Sequence, residues 1–89
     1  MRFEWDAEKA TANRKKHKVT FDEAVSVFYD PLAATFEGPD KSRGERRFLT
    51  VGYSTDGKLL VVCHTEQGKT LRIISARRAT AHERKRHEE

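Results

Sequence analysis

Arginine, lysine, histidine and glutamate are the side chains with which this sequence could do chemistry. Arg72 and Arg77 stand five apart near the C-terminus, Glu45 and Arg47 flank Arg46, and Lys9, Asn13 and His17 recur every four residues. Arginine suits phosphate because its planar fork meets two oxygens at once and keeps its charge. Such a set fits RNA cleavage by attack of a ribose 2′-OH on the adjacent phosphate. The substrate then brings its own nucleophile. The protein supplies a base for the 2′-OH, cations for the charge growing on phosphate, and an acid for the leaving 5′-oxygen.

Other chemistries find little support. The sequence has no phosphate-binding P-loop, no GxGxxG and no nucleophile elbow. His17, His64, His82 and His87 form no i, i+4 pair, so no metal is expected, and no cofactor either. The single cysteine, Cys63, excludes an intrachain disulfide and a cysteine zinc cluster, and its apolar run LLVVC reads as a buried thiol. Lys and Arg total 18 against 14 acids, a net charge of +4, which suggests a polyanionic partner. The N-terminus is interrupted by Arg2, Glu4 and Asp6, and no apolar stretch approaches the ~20 residues that span a bilayer. A soluble cytoplasmic protein with no membrane role is expected.

Each candidate also has an ordinary reading. Glu45 and Arg47 could form a surface ion pair. Lys9 and Asn13 could line a solvated helix face, and His17 could answer a helix dipole. Arg72 could pair with a carboxylate, and Glu83, on a stripe with Ala76, Ala79 and Thr80, is the first choice. Arg77 is expected at the start of a helix, where the dipole does not favour a cation. Arg84 and Lys85 belong to a charged tail that is either a solubility device or a phosphate surface.

These residues need a scaffold, and 89 residues suffice for one domain, 1–89, with a modest core. Residues 2–5 read as a strand. Asp6 can cap a first helix that ends in Lys15, Lys16, His17 and Lys18. Thr20 to Glu23 has the capping-box form, and Phe21, Ala24, Val25 and Phe28 follow at core spacing before Asp30-Pro31. Strands are expected at 32–36, 46–54, 59–66 and 70–75, with a polar loop over 37–45 and a last helix over 76–87. The order β-α-α-β-β-β-β-α gives an α+β fold on an antiparallel sheet.

A two-residue turn at Asp56-Gly57 would place Leu49, Val51, Tyr53, Leu60, Val62, Leu71 and Ile73 on one face, the expected core. The other face would hold Phe48, Thr50, Val61, Cys63, Thr65, Arg72 and Ile74, and a site is sought there. A slip of one residue would exchange the faces.

Three stretches, FEWDAEKATANRKKHKVTFDEAVSVFYDP, ERRFLTVGYS and RIISARRATAHER, resemble the BrnT family of type II toxins across nearly the whole chain. The resemblance implies a RelE-like fold, a small antiparallel sheet with two N-terminal helices and a C-terminal helix packed against it. It implies a metal-independent endoribonuclease of the mRNA interferase type that halts growth by degrading RNA. It also implies a cognate BrnA-type ribbon-helix-helix antitoxin, a heterotetramer with it, and operator DNA bound only through that antitoxin. Lys9, Asn13, His17, Glu45, Arg47, Arg72, Ser75, Arg77, Glu83 and Arg84 fall on the family pattern. Carried across, Arg72 and Arg77 would hold phosphate with Arg47 assisting. Glu45 or His17 would be the base, and Lys9, Asn13, Arg84 and Lys85 would contact RNA. Toxins of this kind often place an acid near the C-terminus. Where BrnT chains commonly have tyrosine, this one has His87. Two other readings remain: a basic module that binds RNA or protein without cleaving, and an antitoxin-binding fold without activity.

Overall fold

The computed structural model describes residues 1–42 and 45–89, with side chains throughout except at 39–45. The elements are β1 (Arg2–Glu4), α1 (Ala7–His17), α2 (Phe21–Val27), β2 (Ala34–Ser42), β3 (Glu45–Tyr53), β4 (Leu59–Gln67), β5 (Thr70–Arg78) and α3 (Ala81–Glu88). The α+β class is as expected. Strands β2 to β5 form an antiparallel meander, and β1 joins β5 in parallel, giving the order β1-β5-β4-β3-β2. Among the described residues no helix is long and apolar enough to cross a membrane.

Local chemistry explains the helix ends. Asp6 accepts from the backbone N–H of Glu8 at 2.8 Å, and Lys18 closes α1 in the left-handed region at φ 61°. Thr20 caps α2 by accepting from the Glu23 N–H, but Glu23 does not reciprocate. Its carboxylate instead accepts from Ser54 Oγ at 2.8 Å, tying α2 to the end of β3. The complete capping box lies at α3. Thr80 Oγ1 accepts from the Glu83 N–H, and the Glu83 carboxylate accepts from the Thr80 N–H.

Helices α1 and α2 cover one face of the sheet. Val19, Phe21, Ala24 and Val27 pack there on Leu60, Val62, Leu71, Ile73 and Ala76, with Trp5 meeting Phe21 edge-on at 5.9 Å. Gly52 allows the closest approach, since a Cβ there would lie 2.9 Å from Ala33 Cβ and 3.0 Å from Val27 Cγ1.

Four boundaries or registers differ from the sequence expectation. The β3–β4 loop has three residues, closed by a bond from the Ser54 N–H to the Lys58 carbonyl, with Gly57 at φ +77°. That one-residue slip turns β3 over. Phe48, Thr50 and Gly52 share the core face with Leu60, Val62 and His64, whereas Leu49, Val51 and Tyr53 face away with Leu59, Val61 and Cys63. Second, the expected loop at 37–45 gives way to strand at 37–42 and at Glu45, and its residues 43–44 lie outside the described residues. β2 runs to Ser42 and β3 starts at Glu45, with a register shift between Glu37 and Lys41, next to a proline that has no N–H to donate. Third, β2 starts at Ala34 and not at 32. Fourth, β5 continues through Arg78, so α3 starts at Ala81 and Arg77 lies in a strand.

Candidate functional site

The open face of the sheet is organised by one irregularity in β5. Pairing with β4 jumps from His64↔Ile73 to Cys63↔Ser75, leaving Ile74 as the extra residue of a β-bulge. Arg72 and Arg77 are five apart, so a regular strand would point them to opposite faces. The bulge reverses the alternation between them. Arg72 opposes Thr65, Arg77 opposes Val61, and both arginines face away from α1 and α2. Arg47 joins them from β3, beside Phe48, which faces His64.

Helix α3 lies over this face, and none of its own residues is buried. It is held by polar contacts. Arg77 grips Glu83 with both arms of its guanidinium, Nη1 to Oε1 at 2.7 Å and Nη2 to Oε2 at 2.9 Å. The Tyr53 hydroxyl donates to Glu88 at 2.7 Å, and the His87 ring stands 6.0 Å from that of Tyr53. Between α3 and the sheet runs an apolar groove of about 290 Å³. Leu49, Val51 and Val61 are its floor, Phe36 of β2 is one wall, and Arg86 and His87 are the other.

The charges here fall into three states. The Arg77 guanidinium holds the Glu83 carboxyl down at about 2, helped by the Thr80 N–H, and Glu83 in turn raises the Arg77 pKa. Arg72 reaches Glu4 across the β1–β5 pair at 2.9 Å, with both side chains about half exposed, so this pair adds little stability. The Arg47 side chain forms no hydrogen bond or ion pair with any described residue, and its Nε is buried. Arg47 therefore adds to this face a positive charge that no described carboxylate neutralises.

The other candidates are dispersed. Asn13, expected to contact RNA, is buried instead. Its amide donates to the Val19 and Ala76 carbonyls at 3.0 and 2.8 Å, and its oxygen accepts from the Ala76 N–H at 3.0 Å. It clips α1 to β5 and has no free donor for a nucleotide. Lys9 and His17 share α1 with it, on the far side of the sheet from Arg77. Lys9 is exposed and His17 half-buried. The Glu45 side chain lies outside the described residues. Arg84 reaches Glu88 at 3.8 Å along α3, and Lys85 is exposed beside it. Glu83 pairs with Arg77 and not with Arg72, because α3 starts too late to bring it near the β1 side of the sheet.

Sequence reasoning missed three features. The Thr80-x-x-Glu83 pattern was legible as a capping box and would have placed both the start of α3 and the position of Glu83. Phe36, which the sequence places in a short strand with no further role, stays 57% exposed against the groove. His64 lies in the core. Its Nε2 meets Thr50 Oγ1 at 2.7 Å, Phe28 and Phe48 rings flank it, and burial pushes its pKa down to about 4. Cys63 is half-buried on the open face.

A bulged mixed sheet, helices on both faces and arginines along the face that the C-terminal helix partly covers define a small α+β protein with a cationic face. The fold is shared with the crystal structure of the Brucella abortus ribonuclease toxin, BrnT. The TM-score is 0.65 at 23% identity, over 90% of this chain and 97% of that one. Residues 5–83 match the family described as ribonuclease toxin, BrnT, of type II toxin-antitoxin system, and the chain belongs to that family. No curated protein sequence matches it.

Proposed function

We infer that this chain is the toxin of a type II pair and acts as a metal-independent endoribonuclease, of the mRNA interferase type, that inhibits growth. The observation that carries the reading is that the β5 bulge puts Arg72 and Arg77 on one face, which the β3–β4 register gives to Arg47 as well. A scissile phosphate lying along that face meets guanidinium groups from two strands. As the 2′-oxygen attacks phosphorus, charge grows on the non-bridging oxygens, and fixed cations stabilise it more than they stabilise the ground state. The 5′-oxygen leaves with a proton, and the products are a 2′,3′-cyclic phosphate and a 5′-hydroxyl.

The proton carriers are narrowed by position. Glu83 is a poor base, because a carboxyl held at about 2 has little affinity for a proton, and Arg77 and Thr80 occupy its oxygens. Its part is to orient Arg77. His17 lies across the sheet from the arginines. His87 lines the groove beside Glu83 and is the acid that this reading favours for the 5′-oxygen. Glu45, at the start of β3 two residues before Arg47, is the base that it favours.

As partner we infer a BrnA-type ribbon-helix-helix antitoxin, in a heterotetramer that meets operator DNA only through the antitoxin. An acidic segment of it laid over the open face would neutralise the arginines that RNA needs. The cytoplasm, where RNA is met, is the expected compartment.

The test is cleavage of single-stranded RNA in EDTA by the protein and by folded Arg77→Ala and Arg72→Ala variants. Cleavage by the parent and a drop of about 10²–10³-fold in Arg77→Ala is expected, as for loss of a donor to a developing oxyanion. RNA that is bound but left whole would replace this reading with a non-catalytic binding module.

A further inference from the structure

We propose that the groove under α3 is a nucleobase subsite, in which Phe36 stacks against a base of single-stranded RNA next to the phosphate held by Arg77. This rests on the ribonuclease reading above and adds how substrate is chosen.

Three observations converge. Phe36 is a large aromatic left 57% exposed on the edge strand β2, and it faces Leu49 across the β2–β3 pair, on the same side as the arginines. An exposed phenylalanine is costly in water, and its ring offers a flat apolar surface. The groove it borders measures about 290 Å³ and has an aliphatic floor, the size and lining of a small planar ligand's site. Its rim is charged. Glu83 and Arg86 line it, and Glu83 is bonded to Arg77, so a base in the groove has a guanidinium within one side chain's length of its backbone.

Charge selects the occupant. An apolar side chain of a protein would fill the floor but would gain nothing from Arg77, Arg86 and Arg47, which has no carboxylate partner among the described residues. A nucleotide uses both parts, stacking its base on an aromatic and placing its phosphate on cations, as single-strand binders do. Stacking tolerates any base, whereas Arg86 at the rim discriminates among bases by donating hydrogen bonds to their edges. Double-stranded RNA has its bases paired and stacked and cannot fill the groove. The face thus selects unpaired RNA.

The experiment measures affinity for two 2′-O-methyl oligoribonucleotides, which cannot be cleaved because the nucleophile is blocked. One strand carries bases, and the other has the same backbone with abasic sites. The wild-type protein is expected to bind the base-bearing strand more tightly by about 5- to 150-fold, the span of one aromatic–base stack. Phe36→Ala should remove that difference and leave affinity for the abasic strand unchanged, and Phe36→Trp should keep the difference. Phe36 is largely exposed, so an unchanged thermal midpoint is expected to certify the fold. A Phe36→Ala protein that still distinguishes the strands, or a wild type that never did, would overturn the subsite while leaving the arginine reading intact. If the wild type bound neither strand, the RNA reading itself would fall. If Phe36→Ala lost only the capture of a co-expressed antitoxin, the groove would belong to a protein partner and the subsite would be rejected.

Discussion

Toward α1 and α2, the sheet presents Leu60, Val62, Leu71, Ile73 and Ala76, all buried, and the helices answer with Phe21, Ala24 and Val27. Toward α3, Leu49 and Val51 are only half-buried, and the covering helix buries no residue of its own. One face is sealed by apolar area, which works at any ionic strength. The other buries Leu59 and Val61 but ties its helix down with a bidentate ion pair and a tyrosine hydrogen bond, and both are open to competition from anions and water. The difference teaches where each task lies. The sealed face carries the stability, which leaves the other free to keep arginines, an exposed phenylalanine and a groove.

That contrast can be broken from the stable side first. Ile73→Ala empties a site that is 1% exposed and should cost about 2–5 kcal/mol by denaturant titration. A loss below 1 kcal/mol would mean that the two faces are more alike than their packing implies.

His64 gives the same face a pH signature. Its pKa in the folded chain is about 4, against 6.5 in the unfolded chain. Between these values the unfolded state holds the extra proton, so acid favours unfolding. Stability from this group is full above pH 6.5 and falls toward pH 4, by about 3 kcal/mol in all. His64→Gln, which can still bond Thr50, should flatten this part of the stability–pH curve.

Asn13 tests whether α1 is held as firmly as the apolar count suggests. Asn13→Ala orphans the Ala76 N–H and two carbonyls and should cost about 1–3 kcal/mol. A neutral Asn13→Ala with impaired RNA binding would instead return Asn13 to the nucleotide.

The smallest effect is expected on the open face. Glu4→Ala removes the partner of Arg72 from a half-exposed pair and should change stability by at most ~1 kcal/mol. RNA cleavage should persist or rise, since Arg72 is released to phosphate. A fall in cleavage would assign Arg72 to the scaffold.

Much of this was legible in one dimension. The α2 stripe, the α1 cap at Asp6, four of the strands and the surplus of arginines are local patterns, and local patterns survive folding. Register was not legible, because a two-residue and a three-residue loop at Asp56-Gly57 differ little in sequence, yet they invert every side chain of β3. Glu83 was recognised as needing an arginine, but the choice of arginine depended on where α3 begins. Residues on α1 shared an i, i+4 spacing with functional promise, and only packing showed that Asn13 spends its amide on β5.

By itself the sequence determined the α+β class, the basic charge and the supply of arginines, because composition and short-range periodicity dictate those. The tertiary structure decided which of them meet. Strand alternation would have sent Arg72 and Arg77 to opposite faces. The single extra residue at Ile74, which no local pattern announces, restores them to one.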